Sequence, residues 1–418
     1  VRMIMMALAA SLGVSGAVAQ TAKPQADFAT RLDAARTTLT VDAAGLHGPG
    51  AAVLAKALSE SRYVLIGEDH LSREIPLFST GVCRMMAPGG LDAFAVEIGP
   101  EAAVVVNAAL RRPDRANRIA AFAKDHPDAF AFQNGADESA MAAECARAAG
   151  PRFQMWGLDQ EFFGAPGYLF EQMLAAKPGP RARAAILTLT ASDRAATAKA
   201  IQSGSPGDLF LFHMTDQQMA DAAKAVARDG GRRVTELFDG LAKTRAIYRA
   251  QNSDGFASNG QRVRLMKRTL MRYLAKRPGS PRLLFKFGDV HMAKGINALG
   301  QRDVGNFVAE RADGEGATAL HIAVYGAKGV HALYGGVGRP ARTEPFVMAE
   351  DADYAWLKDA LSLRDAVGAS GQWMLVDLRP LRAKPPTGMP AAWKRMSNGY
   401  DMLVVAPELT PSVLLGAQ

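Results

Sequence analysis

The stretch YVLIGEDHLSRE, residues 63–74, decides the fold. An apolar run enters a glycine, and Glu68, Asp69 and His70 follow at once, with Glu74 one helical turn beyond His70. A continuous apolar run reads as a strand covered on both faces, as in a parallel sheet. Ionisable groups at the mouth of such a strand are costly to bury unless they pair, bind a metal or face a cleft.

Six further runs have the same character: Ala93–Ile98, Arg152–Leu158, Leu283–Phe287, Ala319–Tyr325, Trp373–Val376 and Met402–Ala406. Helical patterns over 74–87, 100–110 and 137–149 separate the early ones. Residues 180–278 lack strand signals and carry Ala, Arg, Lys and Leu at helical spacing, which predicts three or four long helices. The expected fold class is therefore α/β. A mainly parallel central sheet is flanked by helices, with a large all-helical insertion between strands, all within one domain over 51–412. Residues 326–345 hold five glycines and little periodicity, and read as a long loop, either a lid or surface slack.

With 418 residues, 49% hydrophobic and 22% charged, the chain can bury a sizeable core and is not a disordered sequence. The net charge of +8 permits weak attraction to anionic surfaces. The cations look scattered, with no basic stripe interleaved with aromatics, which weighs against nucleic acid as a partner. Residues 1–19 read as a signal peptide: Arg2, an apolar run, then Ala17-Val18-Ala19 as the cleavage site. Residues 20–50 read as a linker and first helix. Export to the periplasm or beyond follows, without stable membrane insertion once the signal is removed. Cys83 and Cys145 would then meet an oxidising compartment. Spacing alone does not say whether they pair, and no CxxC motif is present.

Ligands of open α/β sheets sit beyond the carboxyl ends of the strands. Four candidate strands end in ionisable groups: Glu68 and His70; Glu97; Asp159 and Glu161; Asp289 and His291. Gly67-x-x-His70 and Gly288-x-x-His291 repeat one shape, a strand turning at glycine to present an acid and an imidazole. Two imidazoles with Glu97 or Glu68 can activate water directly as acid and base. Equally, His70, His291 and Glu97 can bind a divalent metal that does so. Glu74, four residues after His70, is placed to orient it. Asp159 and Asp289 are candidate substrate contacts. His213, His321 and His331 read as structural. Serine-hydrolase elbow, P-loop, HExxH and full dinucleotide motifs are absent.

At these residues the chain resembles the superfamily that joins erythromycin esterases, ChaN haem-binding proteins and Tiki proteins. Gly67, Glu68, His70 and Glu74 resemble the esterases' strand-end motif, Glu97 their second-strand glutamate, and His291 their late histidine. "RVRLMKRT" retains Arg262 and Met266 of a helix pattern in which this chain has Val263 and Thr269, so Arg262 joins the candidate substrate contacts. "DVGNFVAER" and "YDMLVVAPELTPS" resemble the esterase tail. The resemblance implies a hydrolase for an ester or lactone of a small molecule. His70 would be the base, Glu97 and His291 would assist, and no cofactor would be required. Its other branches imply a haem- or metal-binding protein without turnover, or a Tiki-like peptidase using one divalent ion.

Overall fold

The computed structural model describes residues 27–251, 253–277, 279–361 and 371–417. The expected signal peptide lies outside them. Among the described residues a nine-stranded sheet runs β2-β1-β10-β11-β7-β3-β6-β4-β5. Its strands are β1 Arg36–Asp42, β2 Gly45–His47, β3 Tyr63–Glu68, β4 Ala93–Val96, β5 Gln154–Gly157, β6 Leu283–Gly288, β7 Ala319–Gly326, β10 Trp373–Asp377 and β11 Met402–Ala406. The six from β11 to β5 are parallel, and β10, β1 and β2 extend one edge antiparallel. The sheet is thus mainly parallel, as expected. Every residue of β3 and β6 is buried, which accounts for their unbroken apolar runs.

Helices cover both faces. Leu54, Phe78, Val82 and Val106 pack on one side, and Met266, Leu270, Val308 and Trp393 on the other. Between β5 and β6 the predicted helical insertion is present, with Pro180–Ser203, Asp216–Asp229, Gly231–Gln251 and Gly255–Ala275 as its long helices. Its first three pack through a separate apolar cluster that includes Ile186, Val226 and Leu237.

Two expectations need correction. The 20–50 segment does carry a helix, Phe28–Ala35, but β1 and β2 follow it as an edge hairpin rather than linker. Residues 326–345 are largely not loop: Lys328–Leu333 (β8) and Arg342–Val347 (β9) form a two-stranded antiparallel ribbon. Both pieces are half-exposed, so neither has the continuous apolar run that marks the central strands.

Cys83 and Cys145 form a disulfide with Cα atoms 5.4 Å apart, joining Glu74–Met86 to Ala136–Ala149. Replacing both by alanine is expected to cost about 4 kcal/mol, because the bond closes a 62-residue separation. A urea midpoint unchanged from the wild type would contradict this.

Candidate active site

Register brings the strand mouths together. β6 lies between β3 and β4, and β4 pairs with β5, so the four strands ending in charge are contiguous. Glu68 stands opposite Gly288, which makes the two glycine–histidine turns neighbours. Close approach favours glycine in both, most strongly at Gly67. A Cβ on Gly67 would lie 2.5 Å from the Tyr400 hydroxyl, and one on Gly288 would lie 3.0 Å from His70 Nε2.

His70 sits between two carboxylates. Its Nδ1 is 3.0 Å from Glu68 Oε1 and its Nε2 is 3.3 Å from Glu97 Oε2. Phe132 stacks on the ring at 3.8 Å between centroids. Burial opposes a charge on His70, but Glu97 and Glu68 outweigh it and hold the pKa up at about 10. In the free protein at neutral pH this imidazole is therefore protonated and donates to both acids.

Glu97 is the hub. Arg262 Nη2 donates to its Oε1 at 2.6 Å, and the Gly288 amide donates to its Oε2 at 2.8 Å. Although burial opposes ionisation, His291, Arg262 and His70 together keep its carboxyl well below the usual range. Arg262, from the Gly255–Ala275 helix, also holds Asp159 through Nε at 3.0 and 3.1 Å. His291 Nδ1 lies 2.9 Å from Asp303, while its Nε2 lies 3.0 Å from Arg262 Nη1 and 3.4 Å from Glu97 Oε1. Burial and Arg262 work against a charge there, yet Glu97 and Asp303 carry the pKa up to about 9. That nitrogen donates to Glu97 when protonated and accepts from Arg262 when not.

Behind Glu68, the Lys286 ammonium ion-pairs with both Glu68 and Glu138, and all three side chains are buried. Burial and the Glu68 charge push Glu138 up to about 7, against the pull of Lys286.

The predicted residues His70, Glu68, Glu97, His291, Asp159 and Arg262 thus share one cluster. Two do not act as expected. Glu74 turns away from His70 and holds Thr410, accepting from its amide at 2.8 Å and from its hydroxyl at 2.6 Å. Asp289 accepts from Tyr325 at 2.6 Å and is occupied there. Glu161 caps the helix Pro100–Ala109 through the amides of Glu101 and Ala102. His331, from β8, reaches Asp69 at 2.8 Å and so ties the ribbon to the first strand mouth.

Sequence reading missed Lys286, Glu138, Asp303 and Phe132. Lys286 had a signal, a lone lysine inside an otherwise apolar strand. The others lie in segments whose position depends on the tertiary fold.

Two cavities meet at the cluster. One of about 460 Å³ is walled by His70, Phe130, Phe132, Phe163 and Leu333, and Tyr334 after β8 lines it too. The other, of about 220 Å³, is polar, with Glu97, Asp159, Gln160, Asn259 and Arg262. Phe132 and Phe162 border both.

This arrangement of strands and helical insertion has solved counterparts. The chain has the fold of an erythromycin esterase. It matches a mutant erythromycin esterase in its open conformation with a TM-score of 0.63 at 16% identity, over 91% of this chain and 99% of that one. A succinoglycan biosynthesis protein matches at 0.59 and 14% identity, over 92% and 97%. A protein from Bacillus cereus matches at 0.56 and 10% identity, over 92% and 98%. No family model and no curated protein sequence matches the chain.

The side chains of this site do not suit a divalent ion. Among the described residues no three His, Cys, Asp or Glu groups are disposed to hold one. Of the three expected ligands, His70, His291 and Glu97, the Arg262 guanidinium already holds two, His291 Nε2 at 3.0 Å and Glu97 Oε1 at 2.6 Å, which puts a competing cation at that position.

Proposed function

We propose that the chain is an exported hydrolase of the erythromycin-esterase type, cleaving an ester or lactone by direct attack of water. One observation carries the reading: the His70 imidazole stands where an apolar cavity meets a polar one, with Glu97 and Arg262 across the junction. In this reading His70 reacts from its neutral form, its resting proton lost from Nε2 to solvent, and Nε2 then takes a proton from the attacking water. The hydroxide adds to the carbonyl carbon, and Arg262 and protonated His291 stabilise the oxyanion. As the C–O bond breaks, His70 returns the proton to the leaving alkoxide, which releases an alcohol and a carboxylic acid. Glu68 holds Nδ1 and fixes the tautomer, and Glu97 orients the attacking water. The guanidinium among the acids supports a mechanism without a metal. The buried disulfide supports maturation in an oxidising compartment, hence export.

The apolar cavity assigns the larger, greasy part of the ester to the His70 side. A series of p-nitrophenyl esters from acetate to octanoate tests this. Each buried methylene is worth about 0.8 kcal/mol, so kcat/KM is expected to climb up to about fourfold per carbon until the cavity fills. A flat series, or one that falls from acetate onward, would overturn that assignment.

A further inference from the structure

A groove of about 780 Å³, larger than either cavity at the site, runs beside the helices Gly231–Gln251 and Gly255–Ala275. Five of its lining residues are cations, Lys243, Arg264, Lys267, Arg268 and Arg272, and none is acidic. Among the described residues none of the five takes part in an ion pair. The cluster is also unfavourable within its own helix. Arg264, Arg268 and Arg272 follow one another at four-residue spacing, so their like charges stack on a single face. Lys267 is half-buried, donates to the Arg302 carbonyl, and lies 5.8 Å from the Phe307 ring centroid. A fold that gathers five cations in one groove with no ion pair among them offers a seat for an anion.

The rest of the groove limits what kind of anion. Its apolar part is Ile247, Leu265, Met271 and Phe307, with a single aromatic ring, already under Lys267, rather than a row of rings for stacking successive bases. The arginine face continues toward the helix start to Phe256, which is 66% exposed. The loop before Val304–Gly314 packs there, with Gln301 donating to the Phe256 carbonyl at 3.0 Å. Ile296 of that loop is 68% exposed. From Phe256 to Arg272 this face extends about 24 Å, at 1.5 Å per residue. A basic face with an apolar floor and protruding apolar side chains matches the boundary between lipid headgroups and acyl chains. Guanidinium groups bind phosphate through paired donors.

We propose that this groove docks the protein on an anionic phospholipid surface. Lipid phosphate is held by Arg264, Arg268 and Lys243, and Phe256 and Ile296 enter the acyl boundary. The contact is peripheral, since no described helix is long and apolar enough to cross a membrane. The groove is separate from the candidate site, so the inference stands independently of the hydrolase reading.

The test is co-sedimentation of the protein with phosphatidylcholine vesicles that do or do not contain phosphatidylglycerol, at physiological salt. Binding is expected only to the anionic vesicles. Arg264→Gln/Arg268→Gln is compared with Lys56→Gln/Lys124→Gln, which removes the same charge from exposed positions on helices over the opposite face of the sheet. Each cation at an anionic surface is worth about 1 kcal/mol, so the groove variant is expected to bind on the order of 30-fold more weakly. The control variant is expected to stay within about threefold of wild type, as net charge alone contributes little. Circular dichroism checks that both variants are folded. Equal losses in the two variants, or no wild-type binding to anionic vesicles, would overturn the proposal. Binding to duplex DNA but not to vesicles would overturn it in favour of a nucleic acid.

Discussion

Replacing Arg262 by methionine is expected to remove about 3–5 kcal/mol of folding stability, the usual cost of stripping one partner from a buried ion pair. Among the described residues the guanidinium is the only cation that touches both Glu97 and Asp159, and both acids are buried. Burial opposes its charge, yet Asp159 and Glu97 keep it firmly protonated. Methionine fills much of the same volume, leaves Asp159 without a cation in a low-dielectric pocket, and leaves Glu97 to His70, His291 and the Gly288 amide. The loss therefore comes from the stranded acid more than from packing. Removing one acid as well separates the two causes. Arg262→Met/Asp159→Asn is expected to recover part of the loss, and the double-mutant cycle gives the coupling directly. Urea unfolding followed by tryptophan fluorescence measures both. A cost below about 1 kcal/mol for Arg262→Met would mean that the cluster is solvated and the electrostatic account wrong.

The pH dependence of hydrolysis is expected to be displaced strongly toward alkaline values. A base must be free to accept a proton, and His70 holds one until about pH 10. Because protonated His291 is also needed and loses its proton at about 9, kcat/KM is expected to rise about tenfold per pH unit up to about pH 9, level off between about 9 and 10, and fall beyond. Glu97→Gln removes the leading charge that holds the proton on. It should move the limb at least one unit toward neutral pH, even though it lowers the plateau. A profile already flat from pH 7 in the wild type would exclude His70 as the base of the free enzyme. Stability runs the opposite way. The folded pKa of His70 is raised above the ordinary imidazole value of about 6.5. Its contribution is therefore full below pH 6.5 and is lost as the pH climbs through about 10. His291, held up at about 9, adds to the same decline. Activity should thus improve up to about pH 9 within the window in which the fold weakens, and denaturation midpoints taken across it should fall.

Much of this site is legible in the chain because its parts lie at the ends of continuous apolar runs. Such runs occur where a strand is covered on both faces, and charge just beyond them has few explanations other than a cleft. The duplicated glycine–histidine turn adds a steric signal, since each glycine answers the close approach of a neighbouring turn. What the sequence hides is partner choice. Glu74 sits one helical turn from His70, yet the chain bends at Leu71, with φ of 64°, and Glu74 instead meets a segment more than three hundred residues away. Lys286 was visible as a charge in an apolar strand, but its two acid partners come from β3 and from a helix that only the fold brings near. The edge hairpin of β1 and β2 and the ribbon of β8 and β9 escaped for a different reason. Their residues alternate or are half-exposed, so the burial that marks the central strands is missing.

The most direct test of the account is hydrolysis of an ester or lactone by wild type and by His70→Ala, each before and after treatment with a chelator. The account predicts turnover that survives the chelator and falls about 100- to 10,000-fold in the variant, the range for losing a positioned acid–base group. Turnover that disappears with the chelator and returns with a divalent ion, or that is equal in wild type and variant, would contradict it.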